Sequence, residues 1–408
     1  MNEKNRVVIT GMGIISCLGN TLDDVSKSLQ NGIPGYEIDP ERTAVGMRSP
    51  LTGTIKNFDP KNYLDRKRRK TMALSTVWAY AAAEQAIKDS NLKQEEIEST
   101  ETGVIFGHDS IAEASYLATK VLMEEKDSKN IGSGSIFQIM NSTVTMNLST
   151  IFHTKGANWS LAGACASGSH AIGQAAELIR NGDQERVIAG GAQEINYHVM
   201  ASFDALNAFT TNLENPLKAS RPFDKNRDGL IPSGGAACVI LERMDLALAR
   251  GAKIYAEVVS YAFGADGDDM SAPNGIGAQQ VMEKALRKAN MRPEEIQYIN
   301  AHATSTPRGD KMEAWAISNV FGNRPYVSST KSMTGHECWM AGSSEVIYST
   351  LMMRDGFIAP NINFEEGDEY TSKINITNKI IHERPEIILS NSFGFGGTNA
   401  ALILRSVK

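Results

Sequence analysis

Short apolar runs, broken by glycines and polar turns, alternate along this chain with longer stretches whose apolar residues recur at helical spacing. In the first part the runs Arg6–Thr10 (ending at Gly11), Gly103–Phe106, Asn158–Leu161, Val187–Ala189 and Ala236–Leu241 predict buried strands. The alanine-rich stretch Met72–Ile87 predicts a helix, and a second helix runs from just after Cys165 to about Ile179, where Asn181-Gly182 supplies a C-terminal cap. The pattern restarts near Lys253 with a strand at Ile254–Tyr261, a helix at Ala278–Ala289 and a strand at Tyr298–Asn300. Val327–Lys331 then leads into a helix beginning near His336, and Glu386–Leu389 and Ala400–Leu404 bracket the glycine-rich Phe393–Gly397. Strand, Cys165, helix in the first part mirrors strand, His336, helix in the second, and a strand hairpin follows each. The pattern predicts an α/β protein of two related halves, residues 1–252 and 253–408, joined without a long linker into one compact unit.

Length agrees: 408 residues suit two domains or a duplicated architecture better than one core. The apolar share of 41% and the 35 glycines fit an α/β protein with many tight turns. No stretch approaches the ~20 apolar residues of a membrane span. The opening Met1-Asn2-Glu3-Lys4-Asn5 runs straight into the first strand without a signal-peptide pattern. Four widely spaced cysteines (Cys17, Cys165, Cys238, Cys338) predict reduced thiols in a cytoplasm and neither disulfides nor a metal site. A net charge of −6 excludes nucleic acid as a general partner. Within this acidic chain, Arg66, Lys67 and Lys70 belong to a basic run, and Lys126 and Lys129 lie in another polar stretch. Such a run is a solvated face or a surface that steers an acidic partner.

Two patterns are set aside. Gly11-Met-Gly13 follows a strand, but a dinucleotide fingerprint needs a third glycine where Ser16 stands, so the glycines read as a tight turn. Asp266, Asp268 and Asp269 cluster, but Met270 takes the next calcium-ligand place and no spaced glutamate follows, which leaves a solvated acidic loop. Cys165 is different. Ala162, Gly163, Ala164 and Ala166 permit a sharp turn into a helix, where free N–H groups and the macrodipole favour a thiolate. His302 ends a strand and precedes Thr304 and Thr306, whose hydroxyls suit a ligand amide. His336 is placed at a helix N-terminus, which disfavours the cation, so a neutral ring donates Nε2–H to an oxygen gaining charge. Two such donors make a site for an enolate oxygen.

These residues stand in Val8-Ile-Thr-Gly-Met-Gly13, Ala164-Cys-Ala-Ser-Gly-Ser-His170, Arg221-Pro-Phe-Asp224, Arg227-Asp-Gly229, Asn300-Ala-His-Ala-Thr-Ser-Thr306, Thr330-Lys-Ser-Met-Thr-Gly-His336 and Asn391–Asn399. With them the chain resembles the β-ketoacyl-acyl carrier protein synthases of the condensing-enzyme (thiolase) superfamily, nearest the type I synthases of bacterial fatty acid synthesis. The resemblance implies a thiolase-like five-layered αβαβα fold, a homodimer, and decarboxylative Claisen condensation with malonyl-acyl carrier protein, without a redox or metal cofactor. By the same resemblance Cys165 is the acyl-accepting nucleophile and His302 and His336 complete a Cys-His-His triad. Lys331 and Glu313 orient the histidines through hydrogen bonds. Phe395 gates the thiol, and its N–H and that of Cys165 form an oxyanion hole. Thr304 and Thr306 hold the phosphopantetheine arm on which the carrier presents its acyl group. Met140, Ser110 and Phe393 are implied substrate-pocket positions, with Met140 reaching across the dimer interface. Arg66, Lys67 and Lys70, extended by Lys126 and Lys129, dock the acidic carrier.

Three segments depart from the usual family pattern. Glu337-Cys338-Trp339-Met340 replaces small residues after the second histidine, Gly107-His108-Asp109-Ser110 replaces a glycine- and serine-rich turn, and Pro232–Ala237 replaces a more glycine-rich run. They leave the reaction class and keep a second substrate class open, the conjugated chains elongated by condensing enzymes of aryl polyene or flexirubin-type pigments, which pair with an inactive homologue. A chain-length-factor subunit typically lacks the nucleophile present here. A degradative thiolase carries a second cysteine near the C-terminus, where this chain has Asn399.

Overall fold

A computed structural model describes residues 6–407, so the opening Met1–Asn5, read as lacking a signal pattern, lies outside the described residues. The first half contains β1 (Val7–Ile15), α1 (Leu74–Ser90), β2 (Thr102–Gly107), β3 (Asn158–Leu161), α2 (Ser167–Asn181), β4 (Arg186–Gln193) and β5 (Gly235–Arg243). The second half repeats the series with β6 (Ala256–Ala265), α3 (Ile276–Ala289), β7 (Tyr298–Asn300), α4 (Pro307–Phe321), β8 (Tyr326–Ser328), α5 (Ala341–Asp355), β9 (Ile387–Phe393) and β10 (Thr398–Arg405). Strand order is β3-β2-β4-β5-β1 in one half and β8-β7-β9-β10-β6 in the other, the same path walked twice. The halves join edge to edge where Val8 pairs with Glu257 and Ile9 with Ala256, antiparallel. In each half a parallel pair is followed by an antiparallel hairpin, β4–β5 and β9–β10.

α2 and α5 pack on each other and against strands of both halves, α1 covers β1 and β5 from outside, and α3 covers β6 and β10. The result is five layers, α-β-α-β-α, the thiolase-like architecture. The middle layer explains why α5 shows no polar face: every residue from Ala341 to Met353 is buried. α2 and α5 touch where a Cβ on Gly342 would stand 2.2 Å from Ser169 Oγ. Helix boundaries follow local chemistry, with Asn91 (φ 54°) ending α1 and Gly182 (φ 83°) ending α2 in the left-handed region.

Three expectations shift. β1 continues through Gly11 and Gly13 instead of turning there. The glycines are needed for close approach: a Cβ at Gly11 would lie 2.2 Å from Ala86 O, and at Gly13 2.0 Å from Ala82 O, both on α1. The helix expected at His336 begins at Ala341, after a 3-10 turn at Cys338–Met340. α4, opening with Pro307-Arg308-Gly309, is a helix of 15 residues where no element was anticipated.

All four cysteines are free. Among the described residues no helix is long and apolar enough to cross a membrane. Nor, among them, is there a group of His, Cys, Asp and Glu arranged to hold a metal ion, the Asp266–Asp269 loop included.

Candidate active site

Cys165 sits in a single 3-10 turn, Ala164–Ala166, between β3 and α2. The turn is tight enough to force Ala164 to φ +44°, a left-handed conformation that costs a non-glycine residue about 1 kcal/mol or more. Neighbouring polar groups hold it. Ala164 N–H donates to Asp109 Oδ2 at 2.7 Å, Gly163 N–H donates to Ser167 Oγ at 2.9 Å, and that hydroxyl donates to Ala164 O at 2.7 Å. Gly394 lies against the turn from the opposite side, where a Cβ would come within 3.1 Å of Cys165 N. The thiol is 5% exposed, and the Phe395 N–H hydrogen-bonds to it. Burial pushes this thiol up to about 12, outweighing the pull of Lys331 and the Phe395 N–H, and Asp109 adds to the rise. The expectation of a thiolate at the helix start is therefore overturned: at rest the group is a neutral thiol.

His302 leaves β7 into a loop that α4 shapes through two buried carboxylates. Glu313 accepts from the N–H groups of His302 (2.9 Å) and Ala303 (2.7 Å) and from Asn391 Nδ2 (3.0 Å). Asp310 accepts from the N–H groups of Thr304, Ser305, Thr306 and Phe223 at 2.8–3.2 Å. Burial raises both carboxyls, Glu313 to about 7, and the converging N–H groups pull them back. His336 is fixed through its backbone, which pairs with the 231–233 segment: its N–H donates to Ile231 O at 2.7 Å and its C=O accepts from Ser233 at 2.8 Å. The preceding Gly335 turns the chain at φ +67°.

The two imidazoles meet edge to face, centroids 5.3 Å apart at 87°, with Phe393 tilted 5.9 Å from His302. His302 Nδ1 and both nitrogens of His336 have no protein partner. Burial first, then the Lys331 charge, holds both rings well below the usual imidazole range, so each is neutral. Lys331 and Glu313 do not hydrogen-bond the imidazole rings as expected. Glu313 holds the backbone of His302, and the Lys331 ammonium, 1% exposed, is paired with Glu345. Lys331 thus acts on the rings by field, from a pair buried among them.

A cleft of about 370 Å³ runs from Cys165 past His302, His336 and Phe393 to Thr304 and Thr306, with Met270 and Phe395 near its mouth. The two threonine hydroxyls lie 3.1 Å apart. Phe395, 36% exposed, stacks on Phe203 at 5.8 Å. Met140 and half-buried Ser110 do not line this cleft, and Met140 is exposed on an outer face. Arg66, Lys67 and Lys70 are exposed on and beside the short helix Arg66–Arg69, and Lys126 and Lys129 are exposed on a separate turn. Lys70 O accepts from Gln138 Nε2 at 3.1 Å, which ties the basic run to the segment carrying Met140. His108 is neutral, lowered to about 4 by burial, and bridges Asn141 O (3.0 Å) and Ser75 Oγ (3.3 Å). Sequence reasoning missed the positions of Asp310, Glu345, Ser167 and Asn391 in this network. Asp310, an acid in the first turn of α4, had a readable signal only as a favourable helix-start charge.

A duplicated α/β frame that brings one cysteine and two neutral histidines into a single cleft defines the condensing-enzyme class. Residues 4–247 match the family model described as beta-ketoacyl synthase, N-terminal domain, and residues 255–365 match its C-terminal domain. The chain belongs to the β-ketoacyl synthase family, an acyltransferase class. It is 43% identical over 404 residues to the 3-oxoacyl-[acyl-carrier-protein] synthase 1 of Haemophilus influenzae, covering 98% of each chain. It superposes with TM-score 0.94 on a β-ketoacyl synthase from Burkholderia phymatum (34% identical, 99% of this chain and 100% of that one). The ishigamide ketosynthase/chain length factor aligns with TM-score 0.93 at 28% identity, covering 99% of both chains.

Proposed function

We propose that the protein is a β-ketoacyl-[acyl-carrier-protein] synthase that elongates fatty acyl chains, with Cys165 as nucleophile and His302 and His336 as paired donors. The observation that carries this reading is the meeting of the two neutral rings, 5.3 Å apart, in the cleft that holds Cys165. Cys165 attacks the acyl thioester of one carrier, the N–H groups of Cys165 and Phe395 face the oxyanion, and the thiol proton ends on the departing carrier sulfur. Malonyl carrier then enters with its phosphopantetheine along Thr304 and Thr306. His302 and His336 donate to its thioester carbonyl, so loss of CO₂ leaves an enolate, and this carbon attacks the acyl-Cys165 carbonyl. Expulsion of the Cys165 sulfur, which takes up a proton, releases a chain two carbons longer. Each well-aimed donor contributes about 3 kcal/mol to such a transition state. The chemistry needs thioesters and proton donors only. Arg66, Lys67 and Lys70, with Lys126 and Lys129, are read as the carrier-docking face. The four free thiols suit a reducing cytoplasm.

One observation favours a second substrate class. Trp339, in the segment where the family usually has small residues, packs in one apolar cluster with Cys165, with Phe203 6.2 Å away, as suits a conjugated chain. In that case the partner subunit is an inactive homologue. Intact-mass measurement after mixing the protein with saturated and polyenoyl carrier thioesters, then malonyl carrier, decides between them. Loading and two-carbon extension of saturated chains by the protein alone supports fatty acid elongation, polyenoyl loading alone or a need for a partner subunit moves it to the second class, and loading of neither with or without a partner sinks both.

A further inference from the structure

Arg308 is the only arginine or lysine among the described residues that line the cleft of Cys165, and it stands at the exposed end. Along that wall the depth falls away residue by residue: Thr304 is buried, Thr306 half-buried, Pro307 and Arg308 exposed. Arg308 Nε donates to Pro273 O at 3.0 Å, which fixes the side chain against the loop that follows β6. Its Nη1 and Nη2 have no hydrogen-bond or ion-pair partner among the described residues. The fork of N–H groups that takes two oxygens of one anion is therefore open.

Carboxylates also line the cleft, yet each is engaged elsewhere. Asp228 accepts from Thr210 Oγ1 (2.5 Å) and Thr211 N–H (3.1 Å), and Asp266 from Asn399 Nδ2 (2.7 Å). Asp269, whose carboxyl feels the Arg308 charge, accepts from the N–H groups of Ser271 and Ala272, both at 2.8 Å. Asp310 and Glu313 are buried and held by backbone N–H groups. His302 and His336 are neutral, so without Arg308 the mouth presents only negative charge and repels an anion. An acidic rim with a single open guanidinium admits one anionic group, at one place.

We propose that Arg308 holds the phosphoryl group of the pantetheine arm and thereby selects phosphorylated acyl donors. The proposal rests on the reading of Cys165 as acyl acceptor and adds a contact to that same site. An arm that sets its thioester at buried Cys165 carries its phosphate at the opposite end, where the cleft opens beside Arg308. Between the two ends the hydroxyls of Thr304 and Thr306, 3.1 Å apart, suit the neutral amides of the arm and offer a phosphate no opposite charge. The same phosphoryl group occurs on a carrier protein and on coenzyme A.

The test is the second-order rate of Cys165 acylation, read by intact mass at low salt, with acyl-phosphopantetheine and acyl-pantetheine of one acyl chain. The wild type should favour the phosphorylated donor about tenfold, and added salt should narrow the gap because the site is exposed. Arg308→Gln should bring the ratio close to one. Arg308→Lys, which keeps the charge and loses the fork, should retain a severalfold preference. A structural role through Pro273 alone would slow both donors together and leave the ratio where it was. Acyl carrier protein and acyl-coenzyme A, run with Arg308→Gln, separate the two sources, since the donor whose kcat/KM falls is the one whose phosphate Arg308 holds. A wild-type ratio at or below one overturns the proposal, as does a ratio that Arg308→Gln does not move. If no donor acylates Cys165 at all, the condensing reading itself falls, whereas acylation without a phosphate preference removes only the role of Arg308.

Discussion

On the proposed reading Cys165 has to combine two things that oppose each other, a reactive sulfur and a dry pocket. Burial keeps the thiol protonated at rest, so as the proposed nucleophile it would depend on donors that engage when a thioester carbonyl arrives. Cys165→Gln isolates this division of labour. The amide imitates the acylated state and leaves both histidines in place, so malonyl decarboxylation should rise while condensation falls ~10³-fold or more. Measuring CO₂ release and β-ketoacyl product side by side checks it, and decarboxylation lost together with condensation would contradict the assigned histidine roles. A second residue-scale expectation concerns Glu337, buried beside His336 and held by the hydroxyls of Tyr348 (2.8 Å) and Ser344. Burial raises its carboxyl from 4.5 to about 7. Between those values the folded chain keeps a proton that the unfolded chain has lost, so stability falls as pH rises through this window. Glu313, raised to about 7, acts in the same direction. Glu337→Gln should therefore make the loss between pH 5 and 8 shallower without abolishing it, by on the order of 1–3 kcal/mol in urea melts. An unchanged slope would mean that Glu337 is ionised in the folded protein.

The elements show where a sequence speaks plainly and where it does not. Runs such as Val187–Ala189 and Ala236–Leu241 lie within β4 and β5 because β-branched, fully buried strands advertise themselves. β1 was read too short because Gly11 and Gly13 look like a turn, whereas they are the places where α1 lies against the strand. Gly13→Ala would put a methyl 2.0 Å from Ala82 O, backbone that cannot step aside. It should lower unfolding free energy by about 1–3 kcal/mol or more in urea, with the active-site chemistry untouched in the fraction that folds. Stability unchanged by this methyl would mean that α1 sits farther out. The candidate triad was legible from motifs, each carried on a few consecutive residues. Its supports were not, since Asp109 meets Ala164 and Glu345 meets Lys331 through chain folding, and no spacing along the sequence announces either pair. α4 was missed for a related reason: Pro307 and Gly309 look like a loop, while proline belongs naturally in a first helical turn.

For the whole molecule, the distribution of exposed apolar and basic side chains matters more than any single contact. β3 is the sheet's outer strand with Trp159 exposed, and Tyr116, Leu117, Ile136, Phe137 and Met140 are also exposed in this half. A monomer leaves such a surface wet, which is why a paired subunit is expected. The wild type should have the mass of a dimer by light scattering and Phe137→Glu should shift it towards monomer; a monomeric wild type would remove the expected interface, and an unaltered dimer would move it elsewhere. The basic run next to this segment faces a separate test, because a carrier protein is recognised by its surface and a small thioester is not. Charge reversal at Arg66 and Lys67 should raise the apparent KM for acyl carrier protein about tenfold at low salt, with the gap from wild type narrowing as salt screens the encounter. Acylation of Cys165 by a small thioester analogue should stay at the wild-type rate, because neither side chain lines the cleft. Equal loss with both acyl donors would show that the helix Arg66–Arg69 supports the fold and does not dock the carrier.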